Sequence, residues 1–141
     1  MSAEPATGVL AVYDGSETSA RALDTAISRA AERSAPLGIL VVIPPRLWRG
    51  REGQFDMPPD LHDEGFAKGL LDQATKLCAE RGVQAGGIVR SGPPATVIVE
   101  EAGHGYDLVV LGERPNLTGA PTLASIVRER LTISIEIVEE A

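Results

Sequence analysis

Five short apolar runs, Val9 to Tyr13, Leu37 to Ile43, Val83 to Val89, Leu108 to Leu111 and Ile133 to Val138, alternate with segments whose apolar residues recur at helical spacing. Runs of this length suit buried strands, and the intervening period suits helices laid on a sheet. Ala22, Leu23, Ala26, Ile27 and Ala30 share one helical face after the first run, with Ser16 or Thr18 placed as its N-cap and Glu17 in its first turn. Ala67, Leu70, Leu71, Ala74, Leu77 and Cys78 form a second stripe, which Gly82 closes. Pro94 opens a third helix carrying Val97, Ile98 and Ala102, and a short fourth helix is expected from about Ala124 to Arg130.

Repeated strand, helix, strand predicts an α/β fold: a single doubly wound domain over residues 1–141, with a five-stranded parallel sheet and helices on both faces. Right-handed crossovers that wind outward through three strands and then reverse give the order 3-2-1-4-5. A ligand crevice then lies outside the carboxyl ends of strands one and four, where the winding reverses. Those ends carry Tyr13, Asp14, Gly15 and Ser16 on one side and Gly112 to Gly119 on the other.

The balance of residues narrows the partners. A formal net charge of −7 disfavours nucleic acid and anionic membrane surfaces, both of which need clustered cations. At 4% aromatic residues there is little to build a base-stacking platform. The longest apolar run, Leu37 to Ile43, is far shorter than a membrane span, and one cysteine, Cys78, cannot form an internal disulfide. A cytoplasmic protein is expected, with Cys78 as a core thiol. His62 and His104 lack partners at ligand spacing, so no metal site is expected.

The stretch Asp107-Leu-Val-Val-Leu-Gly112 ends a strand in glycine and opens into a loop before a helix, a geometry that can aim backbone N–H groups at an anion. Pro115, three residues on, removes one such donor and fixes φ near −65°. Asp14 can contact a ribose hydroxyl or a metal-bound water, or simply turn the chain at Asp-Gly-Ser. Gly112 either admits a phosphate or ends a strand, and Ser125 either contacts phosphate or caps a helix. Arg114, Arg128 and Arg130 are candidate guanidinium donors or solvated surface. Neither a Ser-His-Asp hydrolase nor a phosphoacceptor receiver fits, since the nucleophile elbow and the acidic cluster with its lysine are missing from the sequence.

Gly8 to Leu23, the strand end Leu40-Val-Val-Ile-Pro-Pro45, Ser91-Gly-Pro-Pro94 and Asp107 to Gly112 together resemble the universal stress protein family over nearly the whole chain. The resemblance implies a small adenine-nucleotide-binding α/β domain, commonly dimeric through its last strand, active in stress responses. In nucleotide-binding members a Gly, a second Gly three residues on, and a third Gly ten further, followed by Ser or Thr, surround the phosphates. Here Gly112 matches the first and Pro115 the second, while Ser125 or, with a one-residue deletion, Ala124 falls at the third. The same resemblance puts Val12 and Asp14 on the adenine and ribose side and Val42 against the adenine. It places the chain in the branch with a degenerate glycine motif.

The expected function is a dimeric, non-catalytic stress-response protein, with no catalytic residues and weak or absent ATP binding. An adenine-nucleotide sensor binding ATP or AMP with Mg, with slow hydrolysis, is the alternative. Ile133, Ile135 and Ile137, alternating with Ser134 and Glu136, are the expected dimer face at a sheet edge. The Pro- and Gly-rich connection after Ile43 contains Arg46, Trp48, Arg49 and Arg51, and residues 46–54 are a third candidate, a protein-binding loop.

Overall fold

The computed structural model describes residues 8–43, 64–113 and 121–139. Strands β1 (Gly8–Val12), β2 (Leu37–Ile43), β3 (Ala85–Ser91), β4 (Tyr106–Glu113) and β5 (Ser134–Glu139) alternate with helices α1 (Glu17–Arg33), α2 (Glu64–Glu80), α3 (Pro94–Ala102) and α4 (Leu123–Arg130). All four pairings are parallel and the order is β3-β2-β1-β4-β5, the doubly wound arrangement the alternation predicts.

Alternate residues of the central strands supply two cores. On one face Val9, Ala11, Ile39, Val41, Leu108 and Val110 pack under α1 and α2 through Ala22, Leu23, Ala26, Ile27, Ala67, Leu70, Ala74 and Cys78. On the other, Leu10, Val12, Leu40, Val42, Val109 and Leu111 meet Ala95, Val97, Ile98 and Ala102 of α3 and Ala124 and Val127 of α4. Burial pushes the Cys78 thiol up, which keeps it a packed apolar group and not a thiolate.

Local chemistry sets the boundaries. Ser16 caps α1 by accepting from the Ser19 N–H at 3.1 Å, so of the two hydroxyls offered as cap the earlier one serves, while Thr18 is buried in the first turn. Pro94 takes the first turn of α3, where its missing N–H leaves no bond unmade. Gly82, at φ +77°, turns the chain after α2, and the Val83 N–H is bound back to Cys78 O at 2.9 Å. The third strand therefore starts at Ala85, opposite Leu37, and not at Val83, and runs on through Arg90 and Ser91 to match the full length of β2. Likewise β1 stops at Val12, although Tyr13 still donates its N–H to Leu40 O at 3.0 Å.

At the amino end of the sheet Tyr106 lies across Gly8 and Gly38, covering both where a side chain at either would meet the ring. Glu101, only 5% exposed, is held at the end of α3 by Arg90 at 3.4 Å, and His104 stands 3.7 Å from the same oxygen. Arg90 itself stands opposite Val42, and its Nη2 also reaches Glu100 at 2.8 Å, so the cluster ties β3 to the last turn of α3.

The two faces of β5 are both engaged by the chain itself. Ile133, Ile135 and Ile137, the isoleucine face expected to meet a partner, are half-buried against the α3/α4 core. Glu136 points the other way, where Arg29 of α1 grips it from Nε at 2.8 Å and Nη2 at 2.9 Å. Among the described residues, β5 leaves its outer backbone edge unpaired, since the sheet order ends there.

The hydrogen bond from Arg29, ahead of its charge, holds the Glu136 carboxyl below the usual glutamate range. A carboxyl whose folded value is lowered stabilises the fold above its unfolded value, and that contribution is lost as pH falls through the lowered one. Arg29→Met should therefore lower stability at neutral pH, and only modestly, because both side chains are about a third exposed. The difference from wild type should close on acidification below the ordinary glutamate range. Denaturant melts at several pH values check this, and a difference that persists unchanged in acid contradicts it.

Candidate functional site

The carboxyl ends of β1 and β4 are neighbours in the centre of the sheet, as the winding requires, and they bring Asp14, Gly112 and Glu113 to one end of the molecule. Val12, Val42 and Ala124 join them from the α3/α4 face, where all three belong to one buried cluster. Thus two adenine-side candidates and one phosphate-side candidate share a wall. Pro115, Arg114, Arg46, Trp48, Arg49 and Arg51 lie outside the described residues, as does all of the 46–54 loop.

Asp14 is half-buried, and its Oδ1 accepts from the Ser16 N–H at 2.9 Å, closing the turn that launches α1. Its own N–H donates to Ser19 Oγ at 3.2 Å. One carboxylate oxygen is thus committed to the turn. Beside it, burial first and the Asp14 carboxylate second push Tyr13 up, so its hydroxyl stays protonated and donates to Gln73 Oε1 at 2.6 Å.

Gly112 has a reason of its own for lacking a side chain. A Cβ there would stand 2.8 Å from Thr18 Cγ2 and 3.0 Å from the Thr18 carbonyl oxygen. It is the close seating of the first turn of α1 on β4 that demands glycine, and φ at Gly112 is not in the left-handed region.

The N-cap of α4 is Thr122, whose Oγ1 accepts from the Ser125 N–H at 3.1 Å. Ser125 is not the cap; it sits within the first turn, and its own hydroxyl donates back to Thr122 O at 3.0 Å. The Thr122 hydroxyl in turn donates to Glu113 Oε2 at 2.9 Å. A carboxylate therefore stands against the amino end of α4, one residue past Gly112. Neither Glu113 nor Thr122 was singled out by sequence spacing; the available signals were the Thr-x-x-Ser pattern ahead of an apolar helix and an acid directly after the strand-ending glycine.

Arg128 and Arg130 are exposed in the last turn of α4, away from its amino end. A groove of about 760 Å³ at the amino ends of β2 and β3, lined by Ser34, Pro36, Leu37 and Gly82 among others, carries no charged side chain and lies at the opposite end from the crevice.

The profile of the Universal stress protein family matches residues 7–129. The chain belongs to this family. It is 36% identical over 122 residues to the universal stress protein YxiE of Bacillus subtilis (strain 168), a match that covers 75% of this chain and 78% of the relative. Among solved structures it resembles a universal stress protein in complex with cAMP, with a TM-score of 0.73 and 24% identity over 98% of this chain and all of the other. It also resembles a universal stress protein from Archaeoglobus fulgidus in complex with dAMP, with a TM-score of 0.73 and 19% identity over 96% of this chain and 99% of the other. At these identities the structural likenesses establish the fold. No helix among the described residues is long and apolar enough to cross a membrane.

Proposed function

We propose that this universal stress protein is a dimeric, non-catalytic stress-response protein, a single domain over residues 1–141, that binds ATP weakly or not at all. The observation that carries the reading is the self-satisfied cap of α4. Ser125 N–H, Ser125 Oγ–H and Thr122 Oγ1–H are all spent on intramolecular acceptors. Donors that would greet a triphosphate are thereby committed, and the loop at Pro115 offers one N–H fewer than glycine would. Dimerisation is assigned to β5, through Ile133, Ile135 and Ile137 and the outer backbone edge that no other described strand pairs.

A second reading, an adenine-nucleotide sensor taking ATP or AMP with Mg, draws support from the shared wall of Val12 and Val42 and from the cAMP and dAMP complexes of the structural relatives. The two readings differ in the thermal response to nucleotide. With a dissociation constant of about 1 mM or weaker, ATP and Mg at about 1 mM stabilise the fold by no more than about 0.4 kcal/mol. The expected result is a melting temperature that barely moves and a purified protein free of adenine nucleotide. Stabilisation by about 2.7 kcal/mol, the value at a hundredfold excess over the dissociation constant, would establish the sensor instead.

A further inference from the structure

We propose that Glu113 is the charge-selecting residue of the crevice: its carboxylate, docked on Thr122 at the amino end of α4, takes the place of a ligand phosphate. The inference rests on the crevice as the ligand site described above, and names what that site selects. Three observations converge on it. Glu113 is the last residue of β4, and its backbone continues the strand directly beyond Gly112. Alternation along β4 puts Leu111 in the α3/α4 core, and so aims Glu113 to that same side, where Thr122 receives it at 2.9 Å. Thr122 relays the contact to the Ser125 N–H at 3.1 Å, so the anion is coupled to the helix end through one hydroxyl.

The positive end of a helix dipole attracts anions, and an internal carboxylate satisfies it before any ligand arrives. A phosphate entering the crevice then faces a fixed negative charge and a cap hydroxyl whose hydrogen already has an acceptor. An uncharged nucleoside meets neither obstacle. The ligand class favoured is accordingly one with little or no negative charge at the Glu113 end, and the disfavour should grow from AMP to ATP.

Glu113→Gln separates charge from shape, because the amide oxygen can still accept from Thr122 while the negative charge is gone. NMR titrations of wild type and variant with ATP, AMP and adenosine, which read dissociation constants into the millimolar range, test the assignment. ATP should tighten at least tenfold in the variant, AMP by a smaller factor, and adenosine should stay within twofold. The ATP gain should shrink as salt is raised, as a charge effect does and a packing effect does not. Equal ATP affinity in the two proteins overturns the assignment, as does an adenosine gain matching that of ATP. Wild type alone decides the weak-ATP reading, whereas the ratio between the two proteins decides the role of Glu113, so either can fail without the other. Glu113→Ala, which also frees the Thr122 hydroxyl, should give at least the gain of the glutamine variant; a smaller one counts against the proposal.

Discussion

Ile98→Ala should destabilise the protein by about 2–5 kcal/mol, the range for deleting a large aliphatic side chain from a packed interior. Ile98 is fully buried and belongs to the core that joins α3 to Leu10, Leu40 and Val109. Half of that core is strand residues fixed by pairing on both sides, β1 between β2 and β4 and β2 between β1 and β3, which limits collapse into the void. The same core holds Val12, Val42 and Ala124, so the loss should also loosen the crevice wall. Urea denaturation of the variant reads the effect directly. A loss below about 1 kcal/mol would mean that α3 is not docked as described.

Gly112→Val should cost about 1–3 kcal/mol or more from overpacking, with no ligand present. A Cβ at this position would meet the Thr18 carbonyl oxygen, a backbone atom that can move only if the first turn of α1 lifts off β4. The Ser16 cap, the Asp14 turn and the Ser19 contacts all belong to that turn, so the strain has no cheap outlet. Adding Thr18→Ala removes Cγ2 but leaves the carbonyl, and should recover only part of the loss. Full recovery in the double variant would show that the methyl group alone was the obstacle. Stability measured in the absence of nucleotide makes this result independent of any binding role for Gly112.

These residues also mark how far a sequence of this kind can be read. The alternation of apolar runs and helical stripes suffices for the fold, because each central strand is buried on both faces and each helix must cover one of them. The small residues of α1 announce a close approach to the sheet, and the strand order follows from handedness. The reason for Gly112 is hidden, since it depends on Thr18, which is distant in sequence and meets it only after folding. The cap of α4 is ambiguous for a different cause: Thr122 and Ser125 are both suitable residue types, and only the reach of one hydroxyl to one N–H decides between them. The isoleucines of β5 show the limit of periodicity, which reports an apolar face without saying whether the chain's own core or a second subunit covers it.

The ring of Tyr106 across Gly8 and Gly38 binds three positions into one unit of inheritance. A mutation that gives residue 38 a side chain finds the place taken by the phenol, and a smaller residue at 106 uncovers two bare glycines. Each change alone leaves either a collision or a hole. A side chain at residue 38 therefore becomes tolerable only when residue 106 gives up the phenol, so the two positions are coupled across the amino end of the sheet.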